Sequence, residues 1–501
     1  MNDLPFSQRH ARTVAGIILL AGVVVRLKVY FQNRSLFLDE ANLARNIVER
    51  PLSGFFTALD YQQYAPPLFL STAKGAVGLL GPSEFGLRLI PLFASLGTLW
   101  LVFMLAQKII TNPWVRIIPV FLTAFSYEML RYGSECKQYS LDALGCVGLI
   151  SLALHWMPEK MTTRRWLGWA LIGSTAIWFS MPIVFVLAGV GCYYGFTFLR
   201  KQNHQRLPAL ILVVACWLLS FGTYYWLLLR PDIDSDYLNT YHQEFFLPLV
   251  PTNSTEWSNW SSLLLSLFRN AAGYTVVSYI VSIPLFLWGI VVLIRHGQAF
   301  IWLVGLPILT CLVASGLEQY SLLPRLTLFL IPLFGFLMAI GTDNLWSRRR
   351  WTPWLFTILW LPVLPLSGGL VYFVFPLEVE NTREVLKTCM DSPRGELVYV
   401  HHEAVPAATY YRDYHPDSLA FRQKPMYLSH WDETPGTLIN QDIETAWIVY
   451  SHLINSNTRT EMNRQLEITA SVGTLADTVT ATGARGVLFQ SRKSEIGGRK
   501  K

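Results

Sequence analysis

The stretch TVAGIILLAGVVVRLKVYF (residues 13–31) runs directly into QNRSLFLDEA (32–41). Its first part is an almost unbroken apolar segment. At about 1.5 Å of rise per residue it makes a helix long enough for a hydrocarbon layer of about 30 Å. Its second part places two adjacent acids, Asp39 and Glu40, just beyond that helix. Such a pair reads either as ordinary loop charge or as the base of an enzyme that takes its substrates from lipid. The rest of the chain weighs one reading against the other.

Of 501 residues, 52% are hydrophobic and 15% charged, with 18 Trp, 22 Tyr and 29 Phe. A soluble domain carries about 25% charged residues. The composition therefore points to a polytopic membrane protein with aromatic residues at both interfaces. A net charge of +7 is then no footprint of a nucleic-acid partner, and none is expected; what matters is where the basic residues sit. Apolar windows predict membrane helices near 13–31, 86–107, 113–130, 139–157, 166–181, 182–199, 208–229, 274–294, 298–316, 323–341 and 353–375. The segment 66–80, with Pro66-Pro67, Lys74 and Gly75, suits a re-entrant or interfacial helix instead.

The short loops on one side hold fourteen Lys/Arg, among them Arg164-Arg165, Arg200-Lys201 and Arg348-Arg349-Arg350, against three acids, Asp3, Glu159 and Asp343. The positive-inside rule makes that side cytoplasmic. The N-terminus is then inside, and the long segments 32–85, 230–273 and 376–501 are outside. About eleven spans thus form a membrane domain over 1–375, followed by an extracytoplasmic domain over 376–501. In that tail Thr382–Met390, Val405–Tyr414 and Thr458–Ala470 read as helices. Glu396–His401, Ala446–Ser451 and Gly486–Gln490 read as strands, which predicts a small α/β layer with a partly parallel sheet.

Ionisable groups at span ends ask for an explanation. On the outer side these are Arg26 and Lys28, Asp39 and Glu40, Glu84 and Arg88, Arg325, and the run Glu128 to Asp142 that includes Arg131, Glu135 and Lys137. Taken singly they have ordinary readings: Arg26 and Lys28 can snorkel to the interface, and Glu84 with Arg88 fits an i,i+4 helical ion pair. Their joint presence beside long outer loops favours function.

In order, Leu38-Asp39-Glu40-Ala41, Tyr64-Ala65-Pro66-Pro67-Leu68, Gly81-Pro82-Ser83-Glu84-Phe85-Gly86-Leu87-Arg88 and Ser134-Glu135-Cys136-Lys137-Gln138-Tyr139-Ser140-Leu141-Asp142 resemble the outer loops of GT-C fold glycosyltransferases. The specific likeness is to glycosyltransferase family 39, which includes protein O-mannosyltransferases and bacterial lipid A aminoarabinose transferases. Tyr320 to Pro332, with Arg325, is similar to a late segment of bacterial members. The resemblance spans about residues 10–345 and leaves the tail unmatched. It implies an inverting transfer from a polyprenyl-phosphate-linked sugar donor to a lipid, protein or polysaccharide acceptor, at the outer face of the bacterial plasma membrane and among its lipids.

That resemblance makes Asp39 the expected catalytic base and Glu40 its support. Lys137, Arg131, Arg325 and Arg88 are the expected phosphate-binding cations, and Glu84, Glu135, Tyr139 and Asp142 are candidate substrate contacts. The chemistry is coherent: an acceptor hydroxyl gains from a positioned carboxylate, and a departing phosphate gains from cations where charge builds up. On a helix, adjacent residues point about 100° apart, so Asp39 and Glu40 cannot both reach one proton. His242 and Glu244 are further candidates in the loop after the seventh span, but a pair two apart defines no zinc site. No metal is assigned, and the family resemblance leaves a divalent ion open as a cofactor. The competing reading is a flippase or transporter of a lipid-linked glycan, which calls for mid-membrane charges and repeated halves.

Overall fold

The structure, a computed structural model, describes residues 6–230, 240–273, 276–348, 369–431, 433–435 and 443–491. Six stretches among them are long and apolar enough to cross a membrane: Gln8–Phe31, Glu84–Ile109, Ile183–Arg200, His204–Leu229, Ser278–Arg295 and Leu328–Ser347. Tyr139–His155 and Phe300–Gly316 are shorter apolar helices. The expected span 353–375 lies largely outside the described residues.

The chain begins with α1 (Phe6–Phe31), α2 (Leu38–Glu49), α3 (Pro67–Leu80) and α4 (Glu84–Ile109). Pro67 opens α3, where a missing N–H costs nothing. Lys74 of α3 donates to the carbonyls of Ile47 (2.7 Å) and Arg50 (2.8 Å), which satisfies the end of α2. The expected helix 113–130 is broken into α5 (Ile117–Phe125) and α6 (Tyr127–Tyr132) at Ser126. No proline sits at the break. Arg26, 2% exposed, reaches across from α1 and donates to the carbonyls of Thr123 (2.7 Å) and Ala124 (2.8 Å), which the break leaves without helical partners. Arg26 is thus a buried cap and does not snorkel. Lys28 likewise binds the carbonyls of Tyr372 and Phe373.

The bundle continues with α7 (Tyr139–His155), α8 (Thr163–Phe179), α9 (Ile183–Arg200) and α10 (Leu207–Tyr224). Then come α11 (Ser254–Ala272), α12 (Val276–Arg295), α13 (Phe300–Gly316) and α14 (Ile331–Arg348). The expected span 323–341 starts late, because α14 begins only at Ile331. Residues 324–330 before it are turns and a short 3-10 helix, and this irregular stretch presents Arg325. The basic loops gather at the opposite end of the bundle. There Lys201 pairs with Glu159, Arg206 reaches the Glu159 carbonyl, and Asp343 accepts from the N–H groups of Thr111 and Asn112, both at 3.0 Å.

The tail is an α/β layer. Its strands are β1 (Leu397–Val400), β2 (Met426–Leu428), β3 (Thr445–Tyr450), β4 (Gly473–Ala481) and β5 (Ala484–Ser491), in the order β2-β1-β3-β5-β4. The first two pairings are parallel and the last two antiparallel. Around it lie α15 (Thr382–Asp391), α16 (Val405–Asp413) and α17 (Ser456–Val472). One hydrophobic core joins Leu36, Leu43 and Phe69, from the segment between α1 and α4, to Val385, Leu386 and Ala407 of the tail. Polar contacts reinforce it: the Leu36 N–H donates to Tyr411 (2.7 Å), and fully buried Glu84 accepts from Arg383 (2.5 Å) and Tyr411 (3.0 Å) and meets His415 at 3.0 Å. Both oxygens of Glu84, a candidate substrate contact by sequence, are therefore spent on docking the tail.

Candidate active site

Helix α2 follows an extended segment and carries both acids in its first turn, where free N–H groups favour carboxylates. The two side chains diverge, as helical geometry requires. Asp39 lines a cavity of about 1500 Å³ that lies between the helix ends and the tail. Glu40, 1% exposed, turns into the protein. It forms a two-pronged pair with Arg88 (Nε–Oε1 and Nη2–Oε2, both 2.7 Å) and accepts from the Cys136 N–H at 2.7 Å. Arg88 also donates to the carbonyls of Arg34 (2.7 Å) and Ser35 (3.1 Å).

The Glu40–Arg88 pair therefore fixes the residues next to both Asp39 and Lys137. It shapes the site from outside the cavity, so neither residue is placed to touch a substrate there. Removing one partner strands a buried charge, which costs about 3–5 kcal/mol. Arg88→Met is expected to lower thermal stability and yield in detergent, measured by a melting transition; an unchanged melting temperature would contradict the structural role.

Three of the expected cations do line the cavity: Arg131, Lys137 and Arg325. Arg325 pairs with Asp39 (Nη1–Oδ2, 3.0 Å) and donates to the Tyr241 hydroxyl (3.2 Å). Arg131 is held by Glu135 at 2.8 Å; Glu135, 1% exposed and also 4.0 Å from Arg34, lies behind the wall. Lys137 is 5% exposed, and its ammonium meets only a neutral acceptor, Gln63 Oε1 at 2.8 Å, among the described residues. Burial lowers the Lys137 ammonium pKa, with Asp39 pulling it back up. Burial would raise the Asp39 carboxyl, but Lys137 and Arg325 outweigh it and hold the group below the ordinary carboxylate value.

Tyr139, Asp142 and His242 also line the cavity, whereas Glu244 is exposed outside it. Burial, aided by Arg325, pushes the His242 imidazole down to about 4, so it is neutral at physiological pH. Among the described residues no three His, Cys, Asp or Glu side chains are grouped to hold a metal ion. All six cysteines are free.

No protein-family model and no curated protein sequence matches the chain. Solved structures do. ArnT from Cupriavidus metallidurans in the apo state superposes with a TM-score of 0.52 at 14% identity, over 95% of this chain and 98% of that one. ArnT from the same organism bound to undecaprenyl phosphate superposes with a TM-score of 0.54 at 14% identity, over 94% and 97%. The chain has the GT-C fold.

Within this fold the wall that sequence patterns missed is the tail. Glu380, His402, Glu403, Trp431 and His452 line the cavity opposite the membrane helices. Of these, only His402 and Glu403 stand in a recognisable run, His401-His402-Glu403, which by itself assigns no metal or role. The others carry no local signal, because their role comes from the docking of a domain more than 300 residues away from Asp39.

Proposed function

We propose that this protein is an inverting glycosyltransferase that moves a sugar from a polyprenyl-phosphate carrier to an acceptor on the extracytoplasmic side of the membrane. The observation that carries this reading is Lys137: a buried ammonium, bonded to a neutral amide, on the wall of the cavity that holds the Asp39–Arg325 pair. The nearby Asp39 carboxylate is bonded to Arg325 and makes no hydrogen bond to Lys137. The two cations thus share one carboxylate, and a buried ammonium favours a further anion beside it. The undecaprenyl phosphate bound by the GT-C neighbour ArnT is an anion of that class.

The proposed sequence of events follows from charge. A carboxylate paired to a guanidinium is a weak base. An incoming donor phosphate competes for Arg325, joins Lys137 and Arg131, and leaves Asp39 freer to accept a proton. The acceptor oxygen then forms its bond to the anomeric carbon as the bond to phosphate breaks on the opposite face. The proton passes to Asp39, and the negative charge on the departing phosphate is met by the cations. Tyr139, Asp142 and His242 remain candidate contacts for the sugar or acceptor. The basic loops at the far end of the bundle support a cytoplasmic assignment for that end and hence an outer one for the cavity.

The test is product release. Protein in liposomes with undecaprenyl phosphate carrying a radiolabelled sugar, supplied with lipid, protein and polysaccharide acceptor fractions, is expected to pass the label to an acceptor and yield free undecaprenyl phosphate. Movement of intact donor between leaflets with no cleavage would favour the flippase reading instead.

A further inference from the structure

The membrane-side wall of the cavity is cationic, and the tail-side wall has a different chemistry. Trp431 is 79% exposed, and its ring lies against His402 with centroids 4.1 Å apart and planes tilted by 31°, while His402 lies against buried His401 at 3.9 Å. Beside this ladder, Glu403 is mostly buried at the cavity surface. His452 Nδ1 lies 3.7 Å from Glu380, itself 2% exposed.

His452 also has a φ of +59°, a left-handed conformation uncommon outside glycine. The N–H of Leu453 bonded to the Gly483 carbonyl (3.0 Å) and the N–H of Asn455 bonded to the His452 carbonyl (3.1 Å) hold it there. Backbone held in such a region at a cavity wall is a mark of positioning. The His452 imidazole pKa is raised chiefly by the neighbouring Glu380 carboxylate, against burial, with Glu403 and Asp39 contributing. This wall therefore shares one electrostatic neighbourhood with Asp39.

A supported indole face, a carboxylate and a positioned imidazole suit one kind of group. A phosphate is repelled by Glu380 and Glu403, and a polyprenyl chain gains nothing from them. A sugar ring presents C–H groups that pack on an aromatic face and hydroxyls that donate to a carboxylate. We infer that Trp431, Glu403 and His452 form the subsite that reads the sugar ring of the donor, so that the tail sets sugar selectivity. This rests on the proposed transferase reading of the same cavity. Trp431 stacks on the ring, Glu403 accepts from its hydroxyls, and His452, held by Glu380, bonds a third position.

The experiment measures binding of four lipids in detergent: undecaprenyl phosphate, and undecaprenyl phosphate bearing glucose, mannose or arabinose. At least one sugar-bearing lipid is expected to bind about tenfold more tightly than the bare lipid. Trp431→Ala and Glu403→Gln are each expected to erase most of that gain while leaving the affinity for bare undecaprenyl phosphate unchanged. Equal binding of all four lipids by the wild type, or a gain untouched by both variants, overturns the inference. Failure of bare undecaprenyl phosphate to bind at all would instead remove the transferase reading on which it rests. Trp431 is exposed and Glu403→Gln is isosteric, so neither variant threatens the fold.

Discussion

Asp39→Asn is expected to abolish sugar transfer, by about 10²–10⁴-fold, while the protein still folds and still binds undecaprenyl phosphate. The substitution keeps the size of the side chain and a hydrogen-bond acceptor for Arg325, whose guanidinium lies 3.0 Å from the carboxylate. It removes the basicity alone. Asp39 is partly exposed at the cavity, in contrast to Glu40 beside it, so the loss of its charge does not leave an empty space in the core. The comparison with Glu40→Gln separates two explanations. That variant weakens the clamp on Arg88 and Cys136, and should therefore lower stability as well as rate. A fully active Asp39→Asn protein would remove the base role.

Loss of Arg325 or Lys137 is expected to cost about 10²–10³ in rate together with weaker donor binding, because both cations face the same cavity. Arg325→Ala carries a further signature in pH. Burial favours the neutral form of Asp39, and Lys137 and Arg325 overcome that burial to hold the carboxyl below its ordinary value. The wild type should therefore keep its base ionised from neutral pH through mild acid, with activity falling only below the ordinary carboxylate range. Without Arg325 one opposing charge is gone while burial remains, so the Asp39 pKa rises and the acid limb of the rate profile moves to higher pH. A profile that keeps its position in Arg325→Ala would show that the 3.0 Å pair does not tune Asp39.

The order of the apolar segments was legible because membrane helices advertise themselves by length and apolarity, and because charged residues stand out at their ends. The division of labour between adjacent acids was only half legible. Helical geometry says that Asp39 and Glu40 diverge, but it takes Arg88, 48 residues on, to draw Glu40 inward. Glu84 looked like a partner of Arg88 four residues later; in the fold it answers to Arg383, Tyr411 and His415, some 300 residues away. The break at Ser126 has no proline or glycine to announce it, and the carbonyls it frees are met by a guanidinium from another helix. Trp431 and His452 were invisible for the same reason: each is placed by long-range docking, which leaves no periodicity in the chain.

The most direct measurement is a structure of the protein with undecaprenyl phosphate, obtained by electron cryo-microscopy in lipid nanodiscs. The phosphate should lie in the cavity within about 3 Å of both the Lys137 ammonium and the Arg325 guanidinium, with Arg325 turned from Asp39 toward it. Phosphate density elsewhere, with the Asp39–Arg325 pair unchanged, would contradict the transferase account of this site.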